Sequence, residues 1–423
     1  MRHKHLFQLL PYLGVFLVLF LSSFLMNGTA LAAVAPSLKT SIVHTSGKTV
    51  TTVNWDQLDY RHSRYNPHET TISASNVAKL SVKWLSSIDD AIQSSPAVVN
   101  GVVYVVGFDG IVKAVNASTG NTLWTHIIYL PPPLDKYNDT VDHSSPAIAN
   151  GVLYVGTDGG ILYALSTKTG SVIWSYNASA AINSSPTVTN GFVYFGAQNN
   201  KLIVLNATTG KVAWTYTTDA WVLGVSPAVL NNIVYASPND TGMLALNAST
   251  GKLLWKARGF VNGAPSIVNN VIYGAYFSSP STKSELAAIN ATTGAFLWKT
   301  LCAKCGVGLF FAVGNGLIYT GGSYYNPQGS SLPGTFSAYR MSNGSSVWNS
   351  TALQEATFDD APALANGVVY SDDSGGAFVA YNAKTGAMLW TYQPGGEVHS
   401  SAVIANGTFY QCANDGNLYA FTI

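Results

Sequence analysis

Charge is what this sequence has least of: 21 Lys and Arg stand against 20 Asp and Glu, and charged residues make up only 10% of 423. With no surplus of either sign, there is no basic stripe to follow a nucleic-acid backbone and no acidic tail, so nucleic acid drops out as a partner. Three cysteines are too few for a disulfide scaffold, and no three-residue glycine period suggests collagen. What is abundant is apolar and aromatic: 47% hydrophobic residues, 39 Gly, 23 Tyr and 10 Trp. Such a chain is too apolar to stay disordered and must bury a large core. Length alone suggests two or three domains, but one closed all-β domain absorbs as much chain, and low charge with high Gly, Tyr and Trp favours the single domain.

The start of the chain reads as a signal peptide over residues 1–32. Arg2, His3, Lys4 and His5 precede an apolar run from Val15 to Met26, and Ala30-Leu31-Ala32-Ala33 supplies small residues for a signal peptidase. The run is short for a membrane span. Extended back to Leu9 it would make an uncleaved anchor, the one route by which a membrane enters this reading. No Cys precedes Cys302, which excludes a lipid-modified N-terminal cysteine. The expected location is secreted or extracytoplasmic, in a periplasm or at a cell surface. Residues 33–53, without aromatics, read as a linker.

From there on the chain repeats itself. Trp84, Trp124, Trp174, Trp214, Trp255, Trp298, Trp348 and Trp390 form a series with members about 44 residues apart. Seven of these lie ten residues after a small apolar residue (Ala114, Ala164, Val204, Ala245, Ala288, Ala338, Ala380) and four after a glycine (Gly120, Gly170, Gly210, Gly251, Gly294, Gly344, Gly386). A second series runs ahead of each: Asn-Gly at 100, 150, 190, 315, 366 and 406, and Asn-Asn at 231 and 269. Asn and Gly tolerate the positive φ that a two-residue type I′ turn needs at both central positions, so these are hairpin turns between short strands. Four strands in about 44 residues make a propeller blade. Eight such turns meet only seven Thr-Gly-type turns, and the last repeat lacks its fourth strand. The segment Leu80 to Ser86, carrying Trp84, is a lone fourth strand at the other end. Pairing the two predicts an all-β, eight-bladed propeller over residues 54–423, closed by an N-terminal strand that removes an exposed edge.

The frame Ala-x-Asn-Ala-x-Thr-Gly-x-x-x-Trp resembles the tryptophan-docking motif of the pyrroloquinoline quinone (PQQ) repeat family, which includes quinoprotein alcohol dehydrogenases and BamB-type assembly lipoproteins. Trp55, Arg64-Tyr65-Asn66-Pro67, Ile72, Asn76-Val77, Leu80 and Trp84 resemble the opening segment of the dehydrogenases. The resemblance implies a propeller with a Trp packed between neighbouring blades. It does not by itself imply an activity. A dehydrogenase would need PQQ with Ca²⁺, and four departures weigh against it: Gln93 stands where the enzymes have a Glu that contacts the quinone, there is no adjacent Cys pair, no Trp-Asp-like segment supplies the catalytic Asp, and no Asn and Glu stand out as Ca²⁺ partners. Trp221 and Asp219, outside the frame, are leftover candidates for stacking and base roles, with a packed loop the blander alternative.

Site candidates therefore come from where the repeats differ. Insertions at 126–143, 277–285, 299–310, 322–335 and 349–359 all fall on blade-to-blade crossings or second-to-third-strand connections, which share one face of a propeller. The position three before each blade's leading Pro enters the channel from that face. Around the ring it is Gln93, His143, Asn183, Gly224, Asn262, Gly308, Asp359 and His399, a rim that reads either as a solvated funnel or as a small-ligand site. His143 and His399 flank Gln93, but two imidazoles without a third ligand do not make a metal site. Cys302-Ala-Lys-Cys305 lacks the His of a haem site; in an exported chain it reads as a loop-stapling disulfide, with free or redox-active thiols as alternatives. Cys412 reads as a buried single thiol. Asn116, Asn177, Asn206, Asn247 and Asn290 satisfy the N-glycosylation pattern, although turn chemistry alone accounts for four of them. The leading reading is a non-catalytic binding or assembly scaffold whose protein or small-molecule partner meets the insertion-bearing face. A divergent PQQ-dependent alcohol or sugar dehydrogenase is the alternative, and a carbohydrate or cell-wall binding module using Tyr324, Tyr325 and Phe310 is a third.

Overall fold

The computed structural model of the protein describes residues 42–45, 48–51, 54–57, 63–88, 90–128, 144–219, 226–238, 242–277, 284–301, 310–325, 331–351, 360–373 and 376–423. The expected signal peptide lies outside them. Within the expected linker, Ile42–Thr45 and Lys48–Thr51 form a small antiparallel ladder.

Eight antiparallel four-stranded sheets follow one another along the chain. Blade 1 consists of Ala97–Val99, Val102–Val106, Ile111–Asn116 and Thr122–Ile127, each strand pairing with the next. Blades 2 to 7 repeat that order. Blade 8 takes Val403–Ala405, Thr408–Cys412 and Asn417–Thr422 from the C-terminal end and is completed by Ser81–Ser87, with Trp84 opposite Ala420. The eight-bladed, N-terminally closed propeller read from the repeats is the architecture of the chain.

Each expected hairpin turn has positive φ at both central residues, as at Asn100 and Gly101 (52° and 78°) or Asn231 and Asn232 (50° and 62°). These values are what type I′ turns require, and they match the right-handed strand twist. Two of the expected insertions take another form. Residues 322–325 and 331–335 extend a hairpin of blade 6, with Tyr325 opposite Ser331, and Val271–Phe277 pairs with Ser284–Asn290 to lengthen blade 5 in the same way.

The ten-residue spacing has a direct cause. In every blade the small residue of the third strand sits opposite the Trp of the fourth: Ala114 faces Trp124, Val204 faces Trp214, Ala245 faces Trp255, Ala288 faces Trp298 and Ala380 faces Trp390. A larger residue there would compete with the indole for space. From that position each indole N–H donates to a backbone carbonyl of the next blade. Trp84 donates to Ala117 (3.1 Å), Trp124 to Thr167 (2.8 Å), Trp174 to Ala207 (3.0 Å) and Trp214 to Ala248 (2.9 Å). Trp255 donates to Ala291 (3.1 Å), Trp298 to Met341 (3.1 Å), Trp348 to Ala383 (3.0 Å) and Trp390 to Leu80 (3.2 Å). All eight tryptophans of the series make this bond, Trp255 and Trp298 included.

Beneath the ring lies the turn glycine of the next blade. A Cβ on Gly251 would stand 2.7 Å from the Trp214 ring, one on Gly294 2.6 Å from that of Trp255 and one on Gly344 2.5 Å from that of Trp298. The backbone φ at Gly251 is +70°. Glycine is thus demanded twice, by φ and by contact. A tyrosine of the second strand completes each unit in seven blades, from Tyr104–Trp124 (ring centroids 6.0 Å) to Tyr235–Trp255 (6.0 Å), Tyr273–Trp298 (6.2 Å) and Tyr319–Trp348 (6.1 Å). The Tyr154 and Tyr235 hydroxyls reach the same carbonyls as the tryptophans they touch, Ala207 and Ala291.

The double demand on glycine can be measured. Gly251→Ala carries the left-handed backbone cost of about 1–2 kcal/mol plus the clash with Trp214, a total of about 3 kcal/mol, whereas Gly191→Ala, with open space around its Cβ position, carries only the first part. Equal urea midpoints for the two variants would refute it. A second expectation concerns alkali. Burial pushes the Tyr194, Tyr235 and Tyr410 phenols up to about 12. An unfolded tyrosine ionises near 10, so their contribution to stability is whole below pH 10 and is lost as pH rises through 12. Urea midpoints should fall between pH 10 and 12 while tyrosinate absorbance appears with unfolding; a flat midpoint across that window would contradict it.

Candidate functional site

The central channel is bounded by the first strand of every blade, three residues long in all but blade 5, whose inner edge leaves backbone groups without a ladder partner. An N-terminal arm before the closing strand supplies partners on six blades. Trp55 exchanges two backbone bonds with Val98 of blade 1 (2.7 Å each), the Asp56 carbonyl accepts from Ile148 of blade 2 (2.7 Å), and the Gln57 side chain accepts from Val188 of blade 3 (3.3 Å). Further along, the Ser63 carbonyl accepts from Val313 of blade 6 (2.8 Å) and that of Arg64 from Leu364 of blade 7 (2.9 Å), where Tyr65–Asn66 adds a parallel strand. Asn66 then donates to Ile404 of blade 8 (2.9 Å).

Arg64 fixes this crossing. Its side chain is buried, with Nε donating to the Pro362 carbonyl and an Nη to that of Ala402, both at 2.8 Å, and its guanidinium lies 5.4 Å from the Trp55 ring centroid. Burying a guanidinium is costly unless its donors are matched, and carbonyls of two blades with an aromatic face match them. Glu69 is the arm's second buried charge, accepting backbone N–H bonds from Thr71, Ile72 and Gly407.

The rim is held from below by serines that sequence reasoning passed over. Ser-Ser-Pro at 94, 144 and 184, and Ser400-Ser401 in blade 8, stand beside the rim position. The first serine clamps the end of its own blade's second strand, as Ser94 does at Val106 and Ser400 at Cys412. The second accepts from the preceding blade's backbone: Ala361 donates to Ser401, Ser401 to Ser95, Ser95 to Ser145, Ser145 to Ser185 and Ser185 to Ser226, at 2.8–3.2 Å. This buried belt runs from blade 7 to blade 4. Its frame-wise recurrence was the signal that could have found it, and the second-strand tyrosines carried a similar one.

On this belt sit three of the expected rim residues. Half-buried Gln93 lies between the buried Ile92 and Ser94. Asn183 donates to Asp158 Oδ1 and accepts from Gln198 Nε2, both at 2.7 Å, so the Asp158 carboxylate of blade 2 is tied to blade 3. His399 lies 3.4 Å from the exposed Glu397 carboxylate. Beside it Asp415 accepts from Gly395 N–H and from the Tyr419 hydroxyl, whose ionisation is pushed up by burial first and by the Asp415 bond second. Gln93 and His399 belong to neighbouring blades and Asn183 lies two blades on; the bonds described for Asn183 and His399 stay within their own clusters. His143, Asp359, Gly224, Gly308, Trp221, Cys302 and Cys305 lie outside the described residues, and the side chain of Asn262, within Phe260–Val268, is likewise undescribed. The same holds for the side chains of Tyr324 and Tyr325, while Phe310 is half-buried. Asp219 pairs with Lys256 at 2.6 Å, which holds its carboxyl below the usual range. Cys412 is a buried free thiol, as expected. The turn asparagines Asn116, Asn206, Asn247 and Asn290 each accept two backbone N–H bonds through Oδ1.

Among the described residues no three of His, Cys, Asp and Glu converge as a metal donor set. No helix among them is long and apolar enough to cross a membrane.

Fold and rim together define a PQQ-type eight-bladed propeller with a variable face over a hydroxyl belt. The family profile described as outer membrane protein assembly factor BamB matches residues 28–185, 109–218, 178–308 and 333–423, and the chain belongs to that PQQ-repeat family. A quinohemoprotein alcohol dehydrogenase of Comamonas testosteroni is 32% identical over 79 residues, 18% of this chain and 11% of that relative's length. The solved structure of the quinohemoprotein alcohol dehydrogenase from that organism superposes with a TM-score of 0.70 at 17% identity, covering 87% of this chain and 80% of that one. BamB from Moraxella catarrhalis superposes at 0.64 and 18% identity, covering 81% and 98%. At these identities the superpositions speak to fold alone.

The arm's role is open to a direct test. Arg64→Met keeps most of the stem's packing but leaves two buried carbonyls without their charged donor, and should cost about 3 kcal/mol in urea unfolding. A variant as stable as the parent would show that the arm merely lies in the channel.

Proposed function

We propose that this protein is an extracytoplasmic, non-catalytic scaffold that binds a protein partner on its variable face. The observation that carries the reading is the rim. The position that corresponds to the quinone-contacting Glu of the dehydrogenases holds the neutral Gln93, and two carboxylates described beside other rim positions are already engaged, Asp158 with Asn183 and Asp415 with Tyr419. A hydrogen-bonded rim over a channel lined by Arg64 and Trp55 suits recognition of a surface better than chemistry on a buried alcohol. The match to a family described as an assembly factor supports the same side, as does the length variation confined to the crossings and second-to-third-strand connections. The expected signal peptide supports the location.

The alternative is a divergent PQQ-dependent alcohol or sugar dehydrogenase, favoured by the 79-residue likeness to a quinohemoprotein alcohol dehydrogenase. When bound in such an enzyme, the quinone with its Ca²⁺ accepts a hydride equivalent from the alcohol. Purified protein titrated with PQQ and Ca²⁺ should show no saturable change in quinone absorbance and no dye-linked oxidation across an alcohol and sugar panel. Stoichiometric quinone binding with turnover would replace the scaffold by the enzyme.

A further inference from the structure

The two faces of the propeller differ in charge as sharply as they do in length variation. All ten acidic residues described from the closing strand onward lie in the crossings, in the second-to-third-strand connections or at the strand ends that adjoin them; Asp109, Asp158, Asp219, Glu397 and Asp415 are examples. The opposite face is built from eight first-to-second-strand turns and seven third-to-fourth-strand turns. Every residue of those turns is described, and none is Asp or Glu. Their charges are Lys168, Lys211, Lys252 and Lys384, joined by Arg340 at the strand end before the blade 6 turn, one each on blades 2, 3, 4, 7 and 6, all exposed and without an ion pair among the described residues; exposed Lys83 of the closing strand reaches the Ala117 carbonyl of the blade 1 turn. The arm's carboxylate on this side, Glu69, is buried beneath Gly407 with its oxygens occupied by backbone N–H groups, and Asp56 is half-buried against blade 2. A near-neutral protein thus carries one face whose only exposed turn charges are positive.

We propose that this turn face docks on the phosphate headgroups of an anionic lipid bilayer. Shape and charge point the same way. The third-to-fourth-strand turns are equal in length, because each must place a carbonyl and a glycine under a neighbouring Trp, and the other turns are two residues long. Over blades 7 and 8 this face also carries part of the arm, with Asn366 donating to the Ile72 carbonyl and Thr71 lying against Gly407. The five cations sit at three positions of the repeat frame, Lys168 and Lys384 second in the turn, Lys211 and Lys252 just after its glycine and Arg340 at the end of the strand before it, spread around the ring rather than gathered in a groove. A linear polyanion crossing such a ring meets two or three of them, whereas a flat anionic sheet meets all five within the reach of unscreened attraction. A second copy of the chain fits less well, because its crossing face mixes Lys201, Lys256 and Arg258 with the carboxylates. The sequence reading admitted a membrane only through the N-terminal apolar run. The charge distribution supplies an independent route, and it leaves the variable face turned away from the bilayer and open to a partner.

The full chain, floated with phosphatidylcholine vesicles or with vesicles containing about 30% phosphatidylglycerol, tests this. Arg2 and Lys4 beside the N-terminal run also favour the anionic vesicles, so the turn face is read by comparing the two triple variants. At about 50 mM salt the anionic vesicles should bind at least about tenfold more strongly, and the preference should vanish near about 0.5 M. The triple variant Lys168→Gln, Lys211→Gln, Lys252→Gln should lower the preference about tenfold, while Lys201→Gln, Lys256→Gln, Arg258→Gln on the crossing face should leave it intact. Equal binding to both vesicles, or equal sensitivity to the two triples, overturns the proposal. So does capture by soluble polyphosphate without vesicle binding, which assigns the face to a linear polyanion. Concentration-dependent oligomers lost in the turn-face triple, again without vesicle binding, would assign it to a second copy.

Discussion

The structure depends on one contact made eight times: the indole N–H of a fourth-strand Trp donating to a main-chain carbonyl of the neighbouring blade. Sheets of a propeller meet face to face through apolar side chains, and such packing alone does not set how far one blade slides against the next. A directional bond of about 3 Å from a rigid ring does. It also explains the sequence frame around it. The carbonyl must lie in a turn of fixed length, the glycine must leave room for the ring, and the residue opposite must be small. The tyrosine of the second strand then fills the space beside the indole.

Closure obeys the same contact by different means. Blade 8 has no third-to-fourth-strand turn of its own, because its fourth strand comes from the other end of the chain. Trp390 still finds an acceptor, the Leu80 carbonyl at 3.2 Å, at the end of the 3-10 turn Val77–Lys79 that leads into the closing strand. A chain that supplies both the last strand and the last acceptor from one segment joins its two ends twice over. The described residues of the arm preceding that segment line the first strands of six blades, so one stretch of chain both completes the ring and ties its inner edge.

What could be read from the sequence follows from this. The Trp, Gly and Asn-Gly series were legible because the geometry recurs with the repeat, and eight copies of one pattern stand out without any structure. Strand closure was legible for the same reason, as a missing element at one end and a spare one at the other. The path of the arm was not. Arg64 meets Ala402 across 338 residues, a contact with no second copy anywhere in the chain and hence no period to reveal it. The serine belt lies between these extremes: Ser-Ser-Pro recurs in frame, but its partners are backbone groups of the adjacent blade, which a sequence does not display. Of the rim, the positions were legible and the side-chain partners were not, because Asp158 reaches Asn183 across the boundary between two blades, a pairing that a sequence does not display.

The two faces therefore evolve under unlike constraints. A residue added to a third-to-fourth-strand turn would lift a carbonyl off its Trp and loosen one blade from the next. A residue added to a crossing or a second-to-third-strand connection touches neither that bond nor the hairpin twist. Such additions are tolerated, and in blades 5 and 6 they simply prolong the hairpin while Trp298 and Trp348 keep their acceptors. A propeller of this kind can acquire a new partner on one face while the opposite face stays level. The rim residues occupy the boundary, anchored by buried serines on one side and exposed to variable connections on the other. Functions within this fold can diverge there at little cost in stability, since exchanging Gln93 for a carboxylate alters a half-buried side chain and leaves the serine belt and the tryptophan bonds as they are.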